Sequence, residues 1–199
     1  MLRRSMSLLQ TRREHYQAKL GFYLFLASLG MFFLASMIGY AIIATASVKP
    51  SDVHLRLPLT FLPSTLILIG VSFVLHRAVE NVHHERQLRF RRCLIAALIL
   101  SFAFCLVQCF GLNELISVHS RWGGGQAKLY GISFTLALVH ALHVVGGLFF
   151  LWFVTVRGMH DAYDHERHYA VDLCATYWHF LDGVWIAMLA TFLITSLGH

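Results

Sequence analysis

Charge is scarce in this sequence. Asp, Glu, Lys and Arg make up only 13% of its 199 residues, while 57% are hydrophobic. So little polar surface cannot wrap a soluble globule, and the composition points to a chain embedded in a bilayer. Cysteine is sparse too. The four present (Cys93, Cys105, Cys109 and Cys174) lie in or beside apolar segments rather than in polar loops, which argues against a disulfide framework. Cys105 and Cys109, one turn apart, read as small buried hydrophobes rather than a soft-metal pair. The N-terminal segment carries five basic groups but no apolar stretch ending in a small-residue cleavage site, so no removable signal peptide is expected and the first span acts as the insertion signal. Internal repeats, low-complexity tracts, a glycine-rich phosphate loop, a Ser/His/Asp order and an intramembrane carboxylate pair are all missing. Catalysis by this chain alone is therefore not expected.

What the sequence does have is long apolar runs. Five of them, over about 20–45, 57–78, 93–116, 129–156 and 173–197, are each long enough to cross a bilayer as a helix. Lipid offers no partners for backbone N–H and C=O groups, so such runs must be helical. The expected fold class is all-α: one transmembrane bundle of five helices over residues 1–199. Pro58 and Pro63 interrupt the first turns of the second run, where proline is tolerated because the N–H it lacks would be unpaired anyway. Lys49 to Asp52, Arg86 to Arg92, Gly123 to Gly125 and Asp161 to His168 read as polar connections.

Basic residues set the expected orientation. Lys and Arg number twelve on the side of the N-terminus and of the second and fourth connections, against four on the other side. The positive-inside bias then puts the N-terminus in the cytoplasm and the C-terminus outside. The net charge of +6 reads as topology signals and anionic-lipid contacts, not as a nucleic-acid surface.

Polar groups inside the spans are where function should show, because placing them in hydrocarbon is costly unless they face protein or water. The fourth run holds His140 and His143, three apart; the fifth holds His179 and Asp182, again three apart, with Trp178 and Trp185 near the same stripe. One reading makes them interhelical hydrogen-bonding glue. The other makes the histidines haem or metal ligands. Depth weighs against a shared bis-histidine haem, since His143 lies near the middle of its run and His179 about 9 Å from the middle of the next at 1.5 Å per residue. His83, His84, His160, His165 and His168 fall in connections without tight ligand spacing and read as solvated polar loop. Small residues at Ala35 and Gly39, at Gly147, and at Gly183 and Ala187 mark expected close helix contacts.

These residues carry a family resemblance. Tyr177-Trp178-His179-Phe180-Leu181-Asp182-Gly183-Val184-Trp185 resembles the Y/F-W-H-F-x-D-x-x-W signature in the last helix of subunit III of the haem–copper oxidases. His140-Ala141-Leu142-His143-Val144-Val145-Gly146-Gly147 is similar to that family's H-G-L-H-V-x-x-G helix, one span earlier. Lys19 to Ser28 and Leu106-Val107-Gln108 continue the likeness more weakly, so it extends over nearly the whole chain in a five-helix form. There are departures. Leu29 stands where the family commonly has a glutamate after Ala-Ser, Asp172 replaces a glutamate, and Gly183 replaces a valine.

The resemblance implies a non-catalytic subunit III of a bacterial terminal oxidase in the plasma membrane. Such a subunit packs on subunit I, with subunit II as a further partner, and supports assembly and sustained proton-coupled oxygen reduction. It implies no cofactor in this chain, with haem and copper in the partner subunits, bound phospholipid, and electrons from cytochrome c or a quinol-oxidising complex. No nucleic acid is implied. His140, His143, His179, Asp182, Trp178 and Trp185 would then be structural, interhelical polar residues, with no catalytic, cofactor-binding or metal-binding residue among them. The alternatives are an accessory subunit of a nitric oxide reductase and a b-haem-binding anchor using His143 with His76 or His179.

Overall fold

The computed structural model describes residues 2–47, 61–119, 125–160, 163 and 168–197. They form five α-helices: α1 Leu2–Ser47, α2 Phe61–His83, α3 Gln87–His119, α4 Gly125–Met159 and α5 Tyr169–Leu197. Each contains a stretch long and apolar enough to cross a membrane, so the chain is a multi-pass membrane protein. The apolar runs mark the part of each helix that suits hydrocarbon, but helical backbone continues past them. α3 begins at Gln87, so most of the Arg86–Arg92 segment, expected as a connection, is helix. Gln, Leu and Arg are good helix formers and hold the helix after the apolar stripe has ended. Likewise α5 begins at Tyr169, which puts Asp172 inside its first turn. Pro63 is the third residue of α2, where its missing N–H costs nothing. Pro58, Lys49 to Asp52, Gly123, Gly124 and most of Asp161 to His168 lie outside the described residues.

The chain divides into two compact units, Met1–Ser36 and Met37–His199. The first is the greater part of α1. In the second, α2 packs against α3 and α5, and α4 packs against α3 and α5, so these four helices close a ring. The last turns of α1 contribute to this unit through Tyr40, whose ring meets Phe192 edge-on at 5.0 Å and whose hydroxyl accepts a hydrogen bond from Thr195 Oγ1 at 3.3 Å.

Glycines separate tight helix contacts from open ones. A Cβ on Gly147 would lie 2.9 Å from Tyr177 Cε1, and one on Gly158 would lie 3.0 Å from Leu94 Cδ1. Helices α4 and α5, and α4 and α3, thus approach closely at these two points. Around Gly39 and Gly183 nothing comes within 4 Å. The close contacts expected there do not form among the described residues.

A tight turn joins α2 to α3. Glu85 adopts φ 56°, the left-handed conformation. The Arg86 N–H bonds the Asn81 carbonyl at 2.9 Å and the Glu85 N–H bonds the Val82 carbonyl at 3.2 Å. This pair of bonds is the Schellman arrangement that satisfies the last carbonyls of a helix. Glycine usually fills the left-handed position because an L side chain there costs about 1–2 kcal/mol. Here glutamate fills it, and the turn fixes His83 as the last residue of α2.

Outward-facing positions are strongly apolar. Leu66, Phe110 and Ile194 are at least 70% exposed, which suits a surface facing lipid or another membrane chain rather than water.

Candidate functional site

The polar groups inside the spans gather around α5. Trp178 and Trp185, seven residues apart and so on one face, are both fully buried. The indole of Trp185 stacks on the His140 ring at 5.3 Å and 27°, meets Phe104 of α3 edge-on at 6.2 Å, and donates its N–H to Thr65 Oγ1 of α2 at 3.0 Å. One side chain thereby joins all four helices of the ring. Offset stacks and edge-to-face pairs each add about 0.5–1.5 kcal/mol beyond the area they bury.

Beside this cluster, Ser72 of α2 hydrogen-bonds the Nδ1 of His179 and also lies against the Asp182 carboxylate. With the proton on Nδ1, His179 donates to the serine oxygen, while neither carboxylate oxygen of Asp182 has a hydrogen-bond partner among the described residues. Asp182 is buried, whereas His179 sits on the outside of the bundle, where its ring lies 6.4 Å from that of His76. The carboxylate is thus held under the helix surface beside a hydroxyl. His143 is half-buried and donates its Nδ1–H to the Val139 carbonyl of its own helix at 2.8 Å. Its own carbonyl accepts from the Tyr177 hydroxyl at 3.0 Å.

The structure therefore brings His140 and Trp185 together, and His179 with Asp182, but divides His143 from His179. Tyr177 faces α4 and His179, two residues on and so about 200° round the helix, faces α2. Gly147 of α4 contacts both Tyr177 and Leu181, so His143, one turn earlier, is also offset from His179 by about 6 Å in depth. The two imidazoles thus face different neighbouring helices.

Buried polar atoms without a hydrogen-bond partner among the described residues include both side-chain polar atoms of Gln108 on α3 and the Trp178 indole nitrogen. Thr65, Ser72 and Phe104 are the members of the site that reading the sequence missed. A signal for two of them existed, since Thr65 and Ser72 are polar residues seven apart on one face of an otherwise apolar run. Their partners on α5, more than a hundred residues later, left no local trace.

Two further features lie on the outer surface of this unit. Arg77, Arg86, Arg89 and Arg92 line a cavity of about 450 Å³ at the α2–α3 turn. Leu98, Ile99, Phe102, Leu148, Phe149 and Trp152 line an apolar groove of about 400 Å³ between α3 and α4. The loop residue Tyr163 is anchored near that turn by the Gln87 side-chain amide, which donates to its carbonyl at 3.2 Å. Burial pushes its phenol above the usual tyrosine range, against a smaller lowering by Arg157.

The chain is similar to curated proteins named cytochrome c oxidase subunit 3. It is 33% identical over 127 residues to the one from Mycobacterium leprae, named "Probable cytochrome c oxidase subunit 3", covering 63% of this chain and 61% of that protein. The relative from Nocardia farcinica, named in the same words, is 26% identical over 143 residues, covering 72% and 68%. The one from the moth Spodoptera frugiperda is 28% identical over 128 residues, covering 62% and 80%. The matches thus span 61% of the length of the mycobacterial relative and larger shares of the other two. No protein-family profile matches the chain.

Proposed function

Starting from the chain's kinship with the subunit III family of the haem–copper oxidases, we propose that it is the non-catalytic subunit III of a bacterial terminal oxidase. It packs on the haem- and copper-bearing subunit I, with subunit II in the same complex, and supports assembly and sustained proton-coupled reduction of oxygen. The reacting metals belong to the partners, and this chain holds no redox cofactor. Electrons enter the complex from cytochrome c or a quinol. The N-terminus faces the cytoplasm in this reading, the side that the excess of Lys and Arg favours.

The observation that carries this reading is the stack of His140 on Trp185 at 5.3 Å. The two motifs that resemble the family stand some forty residues apart in sequence and meet there in one buried cluster. Its groups are tied to one another and leave no opposed histidine pair for a haem between α4 and α5. That suits a scaffold. The apolar outer faces are the surfaces that subunit I and lipid acyl chains would cover. The arginine-lined cavity is the place for a phospholipid headgroup, since guanidinium groups bind phosphate through paired N–H donors. Leu29, standing where the family commonly has glutamate, removes the ionisable group at that point of α1, so the support this chain gives is mechanical rather than proton-conducting there.

Purification through a tag on this chain in mild detergent tests the proposal. A large haem-bearing chain should co-isolate in fixed ratio. Recovery of this chain alone, under conditions that keep other oxidase complexes intact, contradicts it. In the intact complex, Asp182→Ala should shorten the number of turnovers before activity decays while leaving the initial rate close to wild type. Immediate loss of oxygen reduction in an assembled complex would show instead that Asp182 takes part in the chemistry.

A further inference from the structure

At the end of the bundle where α2 finishes and α5 begins, three ligand-type side chains converge from two segments far apart in sequence. His83 is the last residue of α2, His168 immediately precedes α5, and Asp172 lies in the first turn of α5. The Nε2 of His83 is 3.6 Å from Asp172 Oδ1, and the Nε2 of His168 is 3.4 Å from Asp172 Oδ2. One ligand atom from each of the three residues can be chosen so that all lie within 4.8 Å of one another.

These separations are too long for charge-assisted hydrogen bonds, which run at about 2.7–2.9 Å. They fit something else. Around a zinc-like ion with bonds of about 2.0–2.1 Å, tetrahedrally arranged ligand atoms stand roughly 3.3–3.4 Å apart, and each imidazole stands near that distance from one of the two Asp172 oxygens. Asp172 Oδ1 is also buried and accepts no hydrogen bond from any described residue, an orphan acceptor of the kind a bound cation satisfies.

The surroundings hold the three groups in place. The Schellman turn at Glu85 fixes the end of α2. The His168 carbonyl accepts from the Val171 and Asp172 N–H groups at 2.8 and 3.2 Å, which pins His168 to the start of α5. The rings of His83 and His168 contact edge-on at 4.3 Å. The partial negative charge at the C-terminal end of α2 and the carboxylate of Asp172 together offset the positive N-terminal end of α5.

We propose that His83, His168 and Asp172 form a structural binding site for a divalent transition-metal ion of the zinc class. The site clasps the end of α2 to the start of α5. Two imidazoles and one carboxylate suit Zn²⁺, Co²⁺ or Ni²⁺ rather than Mg²⁺ or Ca²⁺, which prefer all-oxygen sites. Three protein ligands leave a fourth position for water. The ion is redox-silent in this role, and the site stands whether or not the chain works in an oxidase.

The test uses the full chain in detergent, stripped with a chelator and titrated with Co²⁺. Wild type should bind one Co²⁺ per chain with the visible d–d bands of a tetrahedral centre, lose it to Zn²⁺, and unfold at a higher temperature when Zn²⁺ is present. Altering groups that merely support a metal ligand costs about 10–100-fold in affinity, so His83→Ala and His168→Ala should each lose more than tenfold. Asp172→Asn should weaken binding with the fold unchanged, and His160→Ala should bind as wild type. Circular dichroism checks that each variant keeps its helices, and Asp172→Asn serves if an alanine variant does not. Unchanged Co²⁺ affinity in the helical variants, or no saturable binding to helical wild type, overturns the proposal.

Discussion

The middle of the bundle and its α2–α5 end use the same residue types to opposite effect. In the middle, each histidine on this stripe has a neighbour of matching chemistry. His140 has the Trp185 indole at 5.3 Å, His143 the Val139 carbonyl at 2.8 Å, and His179 the Ser72 hydroxyl. At the end, two imidazoles surround one carboxylate at 3.4 and 3.6 Å, beyond charge-assisted hydrogen-bond length. The difference follows from position. Polar groups in hydrocarbon have no water to turn to, so those that persist are tied to protein. Near the end of the helices that pressure relaxes, since His83 is exposed and His168 and Asp172 are half-buried, and the side chains can stand apart.

The sharpest way to break the middle is Trp185→Ala. This fully buried indole touches α2, α3 and α4 at once, and truncating a buried tryptophan costs about 3–5 kcal/mol. Denaturant unfolding in detergent micelles should register that loss. A cost under about 1 kcal/mol, the scale of a single interhelical contact, would mean the cluster is not the keystone of the ring.

Gly147→Ala comes next. Its new methyl meets Tyr177 at 2.9 Å, and Tyr177 is tethered to the His143 carbonyl and cannot simply swing aside. Overpacking of this kind costs about 1–3 kcal/mol. Gly183→Ala, where nothing stands within 4 Å, should stabilise the isolated chain by about 0.5–1 kcal/mol, the cost of glycine inside a helix. Equal effects at the two glycines would erase the distinction between tight and open contacts.

The smallest effect concerns the end of the bundle. Glu85→Gly relieves a left-handed side chain and should stabilise the chain by about 0.5–1 kcal/mol, the strain being partly offset by glycine's extra freedom when unfolded. If thermal unfolding instead moves down, the carboxylate of Glu85 makes a contact worth more than the strain.

Much of this was legible in the sequence because it is local. Hydrophobic runs of twenty or more residues identify five helices without reference to anything else in the chain. The His140, His143, His179, Asp182 and Trp185 stripe stood out because polar groups in such runs are expensive. Helix ends were less legible, since the hydrophobic signal stops where hydrocarbon stops while helical hydrogen bonding continues, as at Gln87 and Tyr169. Contacts between distant segments were not legible at all. Gly147 and Gly183 look alike in sequence, yet only one faces a neighbouring helix closely. His83 and His168 read as loop residues because their common partner, Asp172, is brought to His83 only by the antiparallel packing of α2 and α5.

The central claim, that this chain supports a haem-bearing partner without holding the haem itself, is tested most directly by an optical spectrum. The complex isolated through this chain should be split in harsher detergent and each chain's haem absorption measured against its protein content. The account predicts that all of the Soret absorption stays with the large partner and none with this chain. A stoichiometric Soret band on the separated chain, abolished by His143→Ala, would contradict it.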